Sequence, residues 1–135
     1  MNLERFVEAQ DGVYERALAE LRGGRKQTHW MWFVFPQIRG LGVSPTAQHY
    51  AIQSLAEARE YLEHPLLGAR LRECAEAVVA SEARSAEHIF GGIDSTKLRS
   101  SMTLFQRAAP DEALFRQVLD KYFDGVPDAA TNERL

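Results

Sequence analysis

The sequence has one cysteine and no long apolar run. One cysteine excludes a disulfide within the chain and a metal cluster built from thiolates, so Cys74 is interpreted as a small buried hydrophobe. The lack of an apolar run of membrane-spanning length, with an amphipathic N-terminus, predicts neither a signal peptide nor a transmembrane helix. We therefore expect a cytoplasmic protein that does not bind membranes.

Positive charge is also in deficit: 16 Lys and Arg stand against 19 Asp and Glu, a net charge of −3. This balance argues against broad nucleic-acid binding. A length of 135 residues with 45% hydrophobic residues fits a single domain with one core. We expect residues 1–135 to form that domain, with residues 128–135 as a polar tail that can fray.

Strand signals are missing, because no stretch alternates apolar and polar residues. Six stretches instead repeat apolar residues at helical spacing, separated by Gly and Pro breaks. The prediction is an all-α, compact multihelical domain of short helices without a significant sheet. Residues 65–81 are predicted as its central helix, Asp94 and Pro110 as starts of later helices. The predicted core contains Trp30 or Trp32 and six further residues: Leu71, Val78, Leu98, Phe115, Leu119 and Phe123.

Acidic residues are absent from Arg22 to Ala56, although this segment carries four basic residues. It also holds both tryptophans and the sequence Gly40-Leu41-Gly42. Packing alone does not require rings, paired glycines and an acid-free basic segment in one place. We therefore predict a binding site here.

Trp30 and Trp32 are two residues apart, so on a helix they do not share a face. One can belong to the core while the other lines a cleft, where its ring would stack on a nucleobase. The alternative is that both rings serve packing.

The loop after the tryptophans has the features of an anion site. Glycines at Gly40 and Gly42 allow close approach of the backbone to a ligand. Arg39 adds charge, and Ser44 with Pro45 begins a helix whose first N–H groups point outward. The alternative is a glycine turn beside an exposed arginine.

Further polar candidates lie on two helices. His49 and Tyr50 share the helix that begins at Ser44, where His49 can act as a general acid or base or simply form a hydrogen bond. No other histidine has ligand spacing with it, so no metal site is predicted. Asp94 is a predicted helix cap, and Lys97 follows one turn later.

Five stretches of the sequence together form a recognisable pattern. They are Arg5-Phe-Val-Glu-Ala-Gln10, His29-Trp-Met-Trp-Phe-Val-Phe-Pro-Gln37, Gly40-Leu-Gly42, Tyr61-Leu-Glu-His-Pro65 and Lys97-Leu-Arg-Ser-Ser-Met-Thr-Leu-Phe105. These stretches resemble a bacterial family catalogued as domain of unknown function 1810, sometimes labelled calpastatin. The resemblance covers nearly the whole chain and implies a compact multihelical fold without an established activity. The calpastatin label does not fit, because that inhibitor is disordered.

A shorter stretch, Ser44-Pro-Thr-Ala-Gln-His-Tyr-Ala-Ile-Gln53, is similar to a motif of the NADAR family. That family is associated with NAD and ADP-ribose chemistry, including removal of ADP-ribose from modified nucleobases. The motif's glutamate is Gln48 here, and an amide cannot take up a proton. The resemblance implies that binding can persist without that hydrolytic route, unless Asp94 supplies the carboxylate.

We therefore expect a protein that binds a small phosphorylated nucleoside of the NAD or ADP-ribose type. Hydrolysis of an ADP-ribosyl N-glycosidic bond is the reaction that such a site could catalyse. The alternative is a non-catalytic helical module that binds a protein. No cofactor is predicted, and the oligomeric state is left open. The predicted catalytic residues are Gln48, His49 and Asp94, and the predicted ligand-binding residues are Trp30, Trp32, Gln37, Arg39, Gly40, Gly42, Ser44, Tyr50 and Lys97.

Overall fold

The computed structural model describes residues 2–135 and confirms the all-α prediction. These residues form ten helices and no β-sheet. The helices are α1 (Glu4–Gln10), α2 (Tyr14–Arg22), α3 (Met31–Val34), α4 (Pro45–His49), α5 (Leu55–Glu63), α6 (Leu67–Ala80), α7 (Ala86–Phe90), α8 (Gly92–Ala108), α9 (Ala113–Phe123) and α10 (Ala129–Glu133).

Serine caps account for the starts of three helices. The hydroxyls of Ser44, Ser54 and Ser85 each accept a hydrogen bond from the backbone N–H three residues later, at 3.1 Å. Each bond satisfies one of the amides left unpaired in a first helical turn. Gly91, at φ 82°, joins α7 directly to α8. Glycine suits this position because residues with a side chain rarely adopt this φ.

Two predicted helix starts were wrong. Asp94 lies inside the first turn of α8 rather than at its cap, because Gly91 precedes a helix that already begins at Gly92. The helix expected to start at Pro110 begins at Ala113. The polar tail contains α10, which Asp128 caps by accepting a hydrogen bond from the backbone N–H of Thr131, and the side chain of Thr131 is buried.

The core lies between α8, α6 and their neighbours. α8 packs against α5, α7, α9 and α10, while α6 packs against α2, α3, α5 and α9, so the predicted central helix shares that place with α8. Trp30 reaches this core, as predicted for one of the tryptophans. Phe123 is only partly buried, because it lies in the last turn of α9. The other five predicted core residues are buried: Leu71, Val78, Leu98, Phe115 and Leu119.

One isolated parallel bridge between Ile38 and Ile52 fixes the loop after α3. The N–H of Ile52 donates to the carbonyl of Gln37 at 2.8 Å, and the N–H of Arg39 donates to the carbonyl of Ile52 at 2.9 Å. Both isoleucines are fully buried or nearly so. The bridge therefore joins the two ends of the segment that contains α4.

Candidate functional site

A cleft of about 630 Å³ opens between the loop after α3, the α4 region, one face of α8 and the start of α10. This volume is in the range of small-molecule sites. Most of the described residues that line it are apolar or aromatic. The lining comprises Trp32, Gln37, Ile38, Gly40, Leu41, Gly42, Val43, Ser44, Ala47, Tyr50, Ala51, Ile93, Thr96, Lys97, Ser100, Asp128 and Ala130.

The two tryptophans take different environments. Trp30 has no exposed surface and packs near Phe35 and Phe90, so its assignment to the ligand-binding residues is corrected to the core. Trp32 is half-buried and lines the cleft. The spacing of two residues separates the rings because α3 turns by about 100° per residue.

Glu20 on α2 holds the segment that leads into α3. Its carboxylate accepts hydrogen bonds from the backbone N–H groups of Gln27 and Thr28, from the Thr28 hydroxyl, and from the indole Nε1 of Trp30 at 2.9 Å. Partial burial opposes ionisation, but these donors outweigh it and lower the pKa of Glu20 to about 2. Glu20 therefore fixes the position of the buried tryptophan.

Gly40 and Gly42 line the cleft, and close contacts with neighbouring residues also favour glycine at both positions. A Cβ on Gly40, which has φ 92°, would lie 2.7 Å from Nε of Arg134; a Cβ on Gly42 would lie 2.6 Å from the Cβ of Ala47. Arg134 also donates from Nη2 to the carbonyl of Gly40 at 3.2 Å. The glycines thus let α4 and the chain end approach the loop closely.

Three of the residues predicted around the loop lie outside the cleft lining. Arg39 is exposed, and Gln48 is exposed and donates from Nε2 to the carbonyl of Val43 at 2.8 Å. His49 is exposed and contacts the ring of Tyr50, with 4.6 Å between centroids. The amide of Gln48 therefore holds the loop, while Tyr50 contributes to the cleft.

Arg5 on α1 holds the backbone on both sides of Tyr50. Its guanidinium donates to the carbonyls of His49 and Ala51, the two neighbours of Tyr50, at 2.9 Å each. It also forms an ion pair with the buried carboxylate of Glu57 at 2.9 Å. Two carbonyls and a carboxylate on one rigid guanidinium fix the backbone around the aromatic ring.

Lys97 provides positive charge to the cleft. Its Nζ lies 4.7 Å from the ring centroid of Trp32 and 3.6 Å from the carboxylate of Asp94. Asp94 is outside the lining and forms a closer pair, at 2.9 Å, with Lys26, whose side chain is almost completely buried. Two lysines around one carboxylate leave a net positive charge beside the tryptophan ring.

Lys97 was predicted at the site, but three further residues of α8 and those at the start of α10 were not. Ile93, Thr96 and Ser100 line the cleft together with Lys97 because the four share one helical face. That spacing is visible in the sequence. Asp128 reaches the cleft only because α10 packs against α8, and no local pattern indicates this.

The thiol of Cys74 belongs to the core rather than to the cleft. Cys74 is buried, and burial raises the pKa of its thiol to about 12 against the opposing hydrogen bond with Tyr14. Those residues contain no group of His, Cys, Asp and Glu suited to a metal ion. They also contain no helix long and apolar enough to cross a membrane.

Residues 2–135 form a small all-helical domain with a ligand-sized cleft that is lined by apolar and polar residues. The chain belongs to the family described as "Protein of unknown function (DUF1810)", whose profile matches residues 1–135. It is similar to the conserved hypothetical protein Rv1873 from Mycobacterium tuberculosis, with 54% identity and a TM-score of 0.97 over 98% of this chain and 95% of that one. Comparison with curated proteins finds no match. The likeness of residues 44–53 to the NADAR motif is not confirmed by these comparisons.

Proposed function

We propose that the cleft binds a small phosphorylated nucleoside, such as a nucleotide or ADP-ribose. The observation that carries this proposal is the position of the Lys97 ammonium group beside the Trp32 ring within one concave, largely apolar site. A nucleotide combines a flat aromatic base with an anion, and these two groups supply a partner for each. Tyr50 adds a second ring to the same cleft.

Charge and solvation favour an anionic ligand. The salt bridge with Lys26 occupies the carboxylate of Asp94, so Lys97 is not its sole counterion. The side chain of Lys97 is about one quarter exposed. It can therefore donate to a phosphate without leaving a buried carboxylate unpaired.

The proposal is for binding without hydrolysis of the bound nucleoside. Gln48, His49 and Asp94, predicted as catalytic, do not line the cleft. Cleavage by the route expected from residues 44–53 would require one of these three side chains at the sugar. Asp94 is held between two lysines, which weakens its field toward a ligand.

Calorimetric titration with ADP-ribose tests the proposal. Lys97→Met removes the charge while keeping the length of the stem, and we expect binding to weaken roughly 10- to 150-fold, since a hydrogen bond to a charged group contributes roughly 1.5–3 kcal/mol. Trp32→Leu should weaken binding by roughly 1–3 kcal/mol through lost stacking. Arg84→Met removes one positive charge from an exposed position outside the lining and is the matched control.

Arg39→Ala tests whether the ligand binds in the cleft or on the loop surface outside it. Because Arg39 is exposed and outside the lining, its removal should change affinity no more than removal of the Arg84 charge. Equal binding by wild type and Lys97→Met, or no binding by the wild type, would contradict the nucleotide proposal.

A protein ligand is the second candidate, supported by two exposed side chains at the cleft. Val43 and Ile93 are 87% and 78% exposed and both belong to the lining. Apolar side chains on facing elements suit a protein segment better than a free phosphate. Absence of nucleotide binding in the titration above would favour this candidate.

A further inference from the structure

Among the described residues that line the cleft, Asp128 is the one with an acidic side chain. Phosphate binding does not explain its role. A carboxylate repels a phosphate, so in a nucleotide site it must face another part of the ligand. It lies at the start of α10, whereas Lys97 lies on α8. The cleft therefore presents one cationic and one anionic side chain from different elements.

One oxygen of the Asp128 carboxylate is held firmly. Oδ2 accepts from the N–H of Thr131 at 2.9 Å and from its hydroxyl at 2.6 Å. The backbone N–H of Asp128 is 2.9 Å from the hydroxyl oxygen of Thr103 and donates to it. Thr103 and Thr131 are both fully buried, so these contacts fix the carboxylate against the core.

The other oxygen, Oδ1, accepts no hydrogen bond from residues 2–135. An ionised carboxylate has acceptor capacity on both oxygens and carries no donor. Its ligand partner must therefore be a donor. Because the side chain is already immobilised, binding such a donor requires little further ordering of the protein.

We propose that Asp128 accepts hydrogen bonds from the ribose hydroxyls of the ligand and thereby selects ribonucleotides over nucleotides that lack them. This inference rests on the proposed nucleotide-binding function. The base would contact Trp32, the phosphate Lys97, and the sugar hydroxyls Asp128. Carboxylates recognise ribose hydroxyls in this way in dinucleotide-binding folds.

Titration of the wild-type protein with AMP and with dideoxy-AMP, which lacks both ribose hydroxyls, tests the inference without any substitution. We expect AMP to bind about 10- to 100-fold more tightly, because each charge-assisted hydrogen bond strengthens binding and the analogue leaves the carboxylate unpaired. Equal affinities would overturn the role of Asp128. They would leave nucleotide binding at Lys97 and Trp32 intact.

The variant Asp128→Asn tests whether this side chain causes the preference for AMP over dideoxy-AMP. Asparagine caps helices about as well as aspartate, so one oxygen can keep the Thr131 contacts while the charge and the free acceptor are lost. The variant should bind both nucleotides with similar affinity. Asp111→Asn, at an exposed position outside the lining, should keep the wild-type preference for AMP.

Two further outcomes bear on the inference. Retained preference for AMP in Asp128→Asn would overturn it, because the discrimination would then come from other residues. Failure of the wild type to bind either nucleotide would overturn both this inference and the proposed function. Melting curves verify that Asp128→Asn is folded; if it is not, Asp128→Ser, which also caps a helix, takes its place.

Discussion

Replacing Glu20 by alanine provides a sharp test of how the aromatic segment is held. Glu20→Ala removes the acceptor of four hydrogen bonds, one of them from the indole of the fully buried Trp30. A buried donor without a partner costs roughly 1–3 kcal/mol. Loss of the cap-like bonds to Gln27 and Thr28 adds about 1 kcal/mol.

The expected loss of stability is therefore roughly 2–4 kcal/mol, or about 10 °C in Tm for a chain of this length. Thermal unfolding followed by circular dichroism at neutral pH measures it. Glu15→Ala changes the same residue type at an exposed position of the same helix and should alter Tm only slightly. Equal Tm values for the two variants would refute the anchoring role of Glu20.

The pH dependence of stability gives an independent test of the same carboxylate. The pKa of Glu20 is about 2 in the folded protein, below its ordinary value of 4.5. The folded state therefore holds this proton less tightly than the unfolded chain, so its contribution is present above pH 4.5 and is lost as pH falls toward 2. Glu20→Gln keeps an acceptor but cannot titrate, so its stability should fall less steeply with acid than that of the wild type.

Two further predictions concern the core. Leu71→Ala and Phe115→Ala should each destabilise the protein by roughly 2–5 kcal/mol in chemical denaturation, because both side chains are buried; unchanged midpoints would contradict the packing of α6 and α9. Cys74 should resist a chromogenic thiol reagent at about pH 8 until the chain unfolds, because burial raises the pKa of its thiol to about 12; rapid reaction of the native protein would contradict this.

The part of the cleft lining that lies close together in the chain could be predicted from the sequence. Gln37, Gly40, Gly42, Ser44 and Tyr50 all line the cleft, since the bridge between residues 38 and 52 folds their segment into one wall. The direction of the Gln48 side chain could not be predicted. A side chain on a short exposed helix can point to the cleft or to its own loop, and spacing alone does not distinguish these directions.

Pairing of charges also depended on contacts that sequence spacing does not reveal. The cap predicted at Asp94 followed from its position before an apolar helical pattern. In the structure Gly91 starts α8 earlier, which leaves Asp94 free to pair with Lys26 from a distant part of the chain. Local propensity cannot anticipate a partner 68 residues away, because that contact forms only when the helices pack.

By itself, the sequence determined the all-helical architecture, the start of α4 at the Ser44 cap and the placement of Trp30 and Trp32 on different helical faces, because apolar periodicity and serine caps act within a few residues. Which of the two rings is buried was decided by the tertiary structure. The tertiary structure alone decided that α10 folds against α8 and brings Asp128 into a cleft with Lys97. These residues meet through burial of surfaces from distant parts of the chain. That burial depends on the packed shape of the whole domain and leaves no local pattern.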